Sequence, residues 1–223
     1  MIVQIYTLQS VEEALEVESV GVHNIGLAPA SIGLPGEISY ETAKSICDEV
    51  QNSKTVALSV SNNIEEIIEM IMFVKPDILH LCGEPGELNA SRVKILRDRL
   101  QSTDNGIPIM QAISVEDMSA VEFAKEYEDV SDYFILDTST SQVQGVGASG
   151  KVHDWNVSKA IVDSVKIPVI LAGGLSPENV RDAIEKVKPW GVDSLTHTNK
   201  ILDNGDFVKD ITKVRKFFKN ATG

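Results

Sequence analysis

Ile167-Pro168-Val169-Ile170-Leu171-Ala172-Gly173-Gly174-Leu175-Ser176-Pro177-Glu178-Asn179-Val180 is an apolar run that ends in two glycines and then enters a Ser-Pro-Glu segment. The run has the length and composition of a strand buried on both faces. Gly173 and Gly174 let the backbone turn sharply and approach a ligand closely. Ser176 reads as a helix N-cap, with Pro177 at the first helical position and Glu178 in the first turn. A strand passing through glycines into a helix N-terminus offers backbone N–H groups and a positive dipole end to an anion. The stretch therefore reads as half of a phosphate site, or as an ordinary strand-to-helix turn if it stands alone.

Outward from this stretch the same grammar repeats. Strand-like runs at Ile2–Tyr6, His23–Ala28, Thr55–Val60, Asp77–Cys82, Ile107–Ile113, Asp132–Asp137, Ile167–Ala172 and Gly191–Thr196 alternate with amphipathic segments. The helices are expected near Ser10–Val20, Ser39–Val50, from Asn62, at Glu87–Leu100, at Val115–Tyr127, from Asp154, from Ser176 and at Phe207–Ala221. Ser10 with Glu13 has the capping-box pattern, and Asp154 has the position of an N-cap. Strand-helix alternation implies a parallel sheet with right-handed crossovers. Eight such units predict an α/β chain folded as one (β/α)8 TIM barrel over residues 1–223, in preference to a doubly wound sheet.

The 223 residues carry a net charge of −13, which argues against nucleic acid and anionic membrane as partners. With 43% hydrophobic residues the chain can build a sizeable core, and no stretch approaches a membrane span. Met1–Ile5 reads as a strand rather than a secretory leader. Cys47 and Cys82 make no disulfide framework, which suits a cytoplasmic setting. No cofactor is expected, and homo-oligomer formation is left open. The expected partner is a small phosphorylated metabolite, which needs local positive potential within an acidic whole.

Barrels place their chemistry at the C-terminal strand ends. Those ends here carry Tyr6, Cys82, Asp137, Gly173-Gly174 and Thr196-His197. The seventh and eighth ends commonly hold phosphate. Gly173, Gly174, Thr196, His197 and Thr198 are therefore the expected phosphate ligands, although Thr196 to Lys200 reads equally well as a polar loop. His80, Cys82, Asp137, His153 and His197 can converge at the mouth; a strand histidine and a buried thiol are favoured over a metal site. Thr138–His153, with glycines from Gly145 to Gly150, reads as a loop able to close over substrate or as a surface loop.

The segments Ile135-Leu136-Asp137-Thr138, Gly145–Gly150 with Lys151-Val152-His153-Asp154-Trp155, and Leu171–Val180 resemble the phosphoribosylanthranilate isomerase family of tryptophan biosynthesis. The similarity runs from the first strand to the last helix. It implies an Amadori rearrangement of a phosphoribosyl amine, with Asp137 matching the acid that opens the furanose ring. At the position of the family's cysteine base this chain has Tyr6, a poor base near neutrality because its ordinary pKa is about 10. The loop after the second strand, Leu34-Pro35-Gly36-Glu37-Ile38, has no arginine for the aromatic carboxylate, and Glu37 would repel one if it pointed inward. His153 stands where the family has Phe, Cys82-Gly83 where it has His-Gly, and Leu195-Thr196-His197 where it has Ser-Ser-Gly. Cys82 is a candidate displaced base. Two readings follow: an isomerase-like barrel with Asp137, Tyr6 and Cys82 as candidate catalytic residues, or a noncatalytic phosphometabolite binder.

Overall fold

A computed structural model of the chain describes residues 1–84, 86–102, 106–138 and 152–223. Eight strands close a parallel barrel in chain order: β1 (Ile2–Tyr6), β2 (Asn24–Leu27), β3 (Lys54–Ser59), β4 (Ile78–Leu81), β5 (Ile109–Ser114), β6 (Tyr133–Asp137), β7 (Val169–Leu171) and β8 (Gly191–Ser194). Closure is made by β1 on β8, with Ile2 opposite Gly191 and Gln4 opposite Asp193. The helices are α1 (Val11–Glu18), α2 (Tyr40–Glu49), α3 (Ile64–Val74), α4 (Ala90–Gln101), α5 (Ser119–Tyr127), α6 (Trp155–Ser164), α7 (Val180–Val187) and α8 (Ile211–Thr222).

The period-two alternation of each strand sorts its side chains into two cores. On β4, Leu79 and Leu81 face the helices, whereas Ile78, His80 and then Cys82 face the barrel interior. The outer core packs strand residues such as Val3, Ile5, Leu136 and Val192 against helix faces such as Ala14, Ile46, Ile67, Leu96 and Phe217. Each fully buried Leu, Ile or Phe there contributes roughly 1.5–3 kcal/mol of transfer free energy. The inner core is smaller and mixed: Val56, Ile78, Met110, Ile135 and Ile170 share it with Tyr6 and Cys82.

The expected caps form where the sequence places them. Ser10 Oγ accepts from Glu13 N (3.2 Å), while the Glu13 carboxylate reaches back to Gln9 N (2.7 Å). Asp154 accepts from Asn156 N (2.8 Å). α4 begins at Ala90 rather than Glu87 and α5 at Ser119 rather than Val115, and two further boundaries differ from expectation through longer-range contacts. The seventh helix begins at Val180, because Asn179 closes the preceding turn: its Oδ1 accepts from Ser176 N (2.8 Å) and its Nδ2 donates to Gly174 O (3.0 Å). Ser176 still caps that turn, accepting from Glu178 N (3.2 Å).

The second difference follows β8. The chain makes a 3-10 turn at Thr196–Thr198, then an antiparallel hairpin of β9 (Asn199–Ile201) and β10 (Phe207–Lys209). Gly205, with φ of +90°, makes the hairpin turn, and Asp210 caps α8 through Thr212 N (3.0 Å) and Lys213 N (3.2 Å). Phe207 is thus a strand residue rather than the start of the last helix. Among the described residues no helix is long and apolar enough to cross a membrane.

Candidate active site

Strand alternation turns Ile135 and Asp137 of β6 into the barrel and Leu136 outward. Asp137 sits at the C-terminal mouth, half-buried, with its Oδ1 accepting from Thr138 N (2.7 Å). Burial raises its pKa to about 7, and the Thr138 amide pulls it only partly back. A carboxyl so placed can hold a proton near neutrality and release it to substrate.

A second carboxyl shares the cleft. Asp193 of β8 lines the same small space as Asp137, Gly173, Gly174 and His197, a cleft of about 20 Å³. Burial, and then the Asp137 charge, raise the Asp193 pKa to about 8; Gln4 and Lys209 oppose the rise. Asp193 Oδ1 and Gln4 Nε2 are buried with no hydrogen-bond partner among the described residues. Lys209 of β10 is buried beside them, its ammonium donating to the carbonyls of Tyr6 and Leu195 and to Asn199 Oδ1. Desolvation lowers its pKa to about 7, against the pull of Glu13 and Asp193. Sequence reasoning missed this trio. Gln4 and Asp193 were legible as polar residues at inward positions of apolar strands. Lys209 was not, because it reaches the mouth through the unexpected hairpin.

Tyr6 and Cys82 fill the barrel interior next to these groups. The Tyr6 hydroxyl lies 2.8 Å from His80 Nδ1, with the rings edge-on at 5.5 Å between centroids. Burial holds the Tyr6 pKa well above its ordinary value and lowers that of His80 to about 3. The imidazole is therefore neutral, and its Nδ1 and the Tyr6 hydroxyl share one hydrogen bond. The Tyr6 ring lies over Gly26, where a Cβ would come within 2.3 Å of the ring. Cys82 donates its thiol to Ser59 O (3.7 Å), and burial with the nearby Asp137 pushes its pKa up to about 12.

The five groups considered for metal are not gathered. His80 is engaged with Tyr6, while His153 lies beneath Gly173, 3.2 Å from Thr138 Oγ1 through Nδ1 and 2.7 Å from Ser158 Oγ through Nε2. Among the described residues no cluster of three His, Cys, Asp or Glu could hold a metal ion. Cys47 belongs to α2 and flanks the outer core, away from this mouth.

At the end of β7, Gly173 and Gly174 both take left-handed conformations, with φ of +78° and +65°. A Cβ on Gly173 would meet His153 Nδ1 at 2.7 Å, so only glycine fits over that ring. Gly173, Gly174, Thr196 and His197 line the cleft. Thr198 does not: it is fully buried, and its hydroxyl donates to Leu195 O (2.9 Å) to close the 3-10 turn. Positions 139–151 of the expected closing loop, including Gly145–Gly150, lie outside the described residues.

The loop after β2 also departs from expectation. The Glu37 carboxylate accepts from the amides of Ile32 (2.9 Å), Gly33 (2.8 Å) and Leu34 (2.9 Å), which hold its pKa below the usual carboxylate range. It ties its own loop together instead of pointing into the mouth. Gly36, with φ of +67°, presses against Thr7 and Phe207; a Cβ there would come within 2.5 Å of Thr7 Oγ1.

The family model described as N-(5'-phosphoribosyl)anthranilate (PRA) isomerase matches residues 3–220. The chain is 28% identical to the N-(5'-phosphoribosyl)anthranilate isomerase of Haloarcula marismortui over 98% of this chain and 95% of that one. It is 35% identical to that of Methanocella arvoryzae over 70% of this chain and 67% of the other. The crystal structure of phosphoribosyl anthranilate isomerase from Thermotoga maritima superposes with a TM-score of 0.79 at 27% identity, covering all of both chains.

Proposed function

Because the chain belongs to the N-(5'-phosphoribosyl)anthranilate isomerase family, we propose that it isomerises a phosphorylated sugar amine by an Amadori-type rearrangement, using Asp137 and Asp193. The observation that carries this reading is the pair of carboxyls lining one cleft beside Gly173 and Gly174. Two buried carboxyls lining one cleft, one raised by the charge of the other, cannot both ionise easily, so near neutrality the pair holds about one proton. One member is then an acid and the other a base, the division of labour that the rearrangement needs.

In this mechanism the phosphate binds at the amides of Gly173, Gly174 and the Thr196–His197 turn. Asp137 gives its proton to the furanose ring oxygen, and the C1–O bond breaks to leave a protonated imine. Asp193 takes the proton from C2, and the electron pair of that C–H bond moves to form the enamine. Tautomerisation of the enamine gives the 1-amino-1-deoxyketose phosphate. Tyr6 and Cys82 are spectators to proton transfer: the Tyr6 hydroxyl is hydrogen-bonded to His80 and held by burial far from ionising near neutrality, and the thiol is too weakly acidic to form a thiolate there.

Turnover of phosphoribosylanthranilate itself should be very weak. Without the family's cysteine at Tyr6, and with no arginine in the Leu34–Ile38 loop, the aromatic carboxylate has no charge-assisted partner. A second reading is favoured by one observation, the filling of the base position by the Tyr6–His80 pair: the barrel binds a phosphometabolite without transforming it.

The test combines calorimetric titration with ribose 5-phosphate and a fluorescence assay on phosphoribosylanthranilate and on other phosphoribosyl amines. Turnover that disappears in both Asp137→Asn and Asp193→Asn, with ribose 5-phosphate affinity preserved, supports the isomerase. Tight binding without turnover of any amine supports the binder. Robust turnover that survives Asp193→Asn but is abolished by Tyr6→Phe would overturn both the Asp193 base and the idle Tyr6.

A further inference from the structure

Among the described residues, the buried ammonium of Lys209 donates to neutral groups alone. Its acceptors are the carbonyls of Tyr6 and Leu195 (3.4 Å for Leu195) and Asn199 Oδ1. Three N–H groups therefore meet three acceptors, and none is left for a substrate oxygen. The Phe207 ring, 5.7 Å from Nζ, adds a cation–π contact. The backbone amide of Lys209 is taken as well, by the Glu13 carboxylate of α1.

The acceptors stand at a decisive place in the fold. Tyr6 ends β1 and Leu195 follows β8, and the pairing of those two strands closes the barrel. Leu195 lines the cleft with Asp137, Asp193, Thr196 and His197. Its carbonyl also accepts from Thr198 N (3.2 Å) and Thr198 Oγ1 (2.9 Å), the bonds that shape the 3-10 turn carrying Thr196 and His197. To hold that carbonyl is to hold the turn. The hairpin that delivers Lys209 is itself fixed: Gln9 Nε2 donates to Phe207 O (2.7 Å), and Lys213 Nζ donates to Asn199 O (2.7 Å).

The charge has a direction as well as a place. The carboxylates that face Lys209 are Glu13 of α1 and Asp193 of β8. Glu13 already accepts from the amides of Gln9 and Lys209, whereas Asp193 Oδ1 has no hydrogen-bond partner among the described residues. Asp193 is faced in turn by Asp137 from β6, by Gln4 and Tyr6 from β1, and by Lys209 from β10; His197 lines the same cleft, and Cys82 faces Asp137. A buried cation beside that carboxyl favours its ionised form, which the Asp137 charge opposes.

We infer that Lys209 is the positioning residue of Asp193: its ammonium fixes the end of β8 and supplies the positive charge that keeps Asp193 available as a base. This rests on the reading that Asp193 takes the C2 proton, and deepens it by naming what makes a second carboxylate tolerable beside Asp137.

The test uses the full chain and begins with the wild-type protein, so that it does not depend on a variant that folds. NMR titration of Lys209 Nζ and Asp193 Cγ should show each curve inflecting where the other group titrates. Lys209→Met should raise the Asp193 pKa by on the order of one unit, and Asp193→Asn should lower that of Lys209 by the same amount, because the coupling is reciprocal. With phosphoribosylanthranilate and related phosphoribosyl amines, the kcat/KM profile of Lys209→Met should move to higher pH by that shift, a roughly tenfold loss on its acid limb. Lys209→Arg, which keeps the charge, should return the profile to its wild-type position. A uniform fall in kcat with an unmoved profile, or Lys209 and Asp193 curves that ignore each other, would overturn the inference. Reciprocal shifts with turnover absent, or unaffected by Asp193→Asn, would remove Asp193 as the base and leave Lys209 standing as its charge partner.

Discussion

The β6–β7–β8 side of the barrel mouth and the β1–β2–β4 side have opposite characters. The first keeps two raised-pKa carboxyls and a pair of left-handed glycines facing a cleft. The second is filled by Tyr6, which lies over Gly26 and bonds down to His80. The contrast teaches that one part of a barrel mouth can be packed shut by a paired aromatic and histidine while its neighbour leaves carboxyls and backbone lining an open cleft. It also moves the question of the base from strand β1 to strand β8, where Asp193 has an oxygen with no partner among the described residues.

The largest effect expected is from Asp137→Asn. General acid–base catalysis commonly contributes about 10²–10⁴-fold, and turnover of a phosphoribosyl amine should fall by that amount with ribose 5-phosphate affinity little changed. Because the acid must be protonated, wild-type kcat/KM should decline as pH rises through about 7, the value to which burial raises Asp137. A fall of less than tenfold, or a pH profile flat across neutrality, would break the distinction between the two sides.

Gly26→Ala probes the plugged side. The new methyl would lie 2.3 Å from the Tyr6 ring, and overpacking of this kind costs about 1–3 kcal/mol. Thermal melts should show a drop of roughly 2–4 °C per kcal/mol, and the loss should shrink when Tyr6→Ala is added. Additive losses in the double variant would mean that Gly26 and Tyr6 are not coupled.

A smaller effect is expected in the pH dependence of stability. Folding raises the carboxyl pKa values of Asp137 and Asp193 to about 7 and about 8, from 3.8. The folded state therefore binds more protons than the unfolded one between about pH 4 and 8, and stability falls as pH rises through that window. Lys209 acts in the opposite direction: its folded pKa of about 7 lies below 10.5, so between those values the unfolded state binds the extra proton and stability gains with pH. Asp193→Asn removes one contributor to the decline. Its stability relative to wild type should improve from pH 5 to pH 8 by on the order of 1 kcal/mol, measured by urea unfolding at each pH. A difference independent of pH would show that Asp193 does not titrate in that window.

The smallest effect belongs to Glu37→Gln. The exposed carboxylate ties three amides of its own loop, so hydrogen exchange at Ile32, Gly33 and Leu34 should quicken while the global melt barely moves. Unchanged exchange at all three amides would show that the carboxylate does not order the loop.

Much of the fold was legible in the residues because strand and helix periods are local. Leu79 and Leu81 alternate with Ile78, His80 and Cys82, and Ser10 and Asp154 cap the helices they precede. Where local reading erred, a longer-range partner decided. Asn179 reaches back to Gly174 and delays α7, while Phe207 pairs with Ile201 and becomes a strand residue. In the site, Gly173, Gly174 and Asp137 could be read from motif and position. The inward or outward turn of Thr198, Glu37 and the Tyr6 hydroxyl could not.

The sequence by itself determined the eight-unit barrel and the family, since both depend on patterns a few residues long repeated along the chain. Only the tertiary structure decided which groups are engaged and which are free to act. Tyr6 meets His80 across 74 positions, and Lys209 meets the Tyr6 carbonyl across 203. Burial then shifts the Asp137, Asp193 and Lys209 pKa values. Desolvation and hydrogen bonding are set by what lies within a few ångströms in space, and chain order alone does not specify those neighbours.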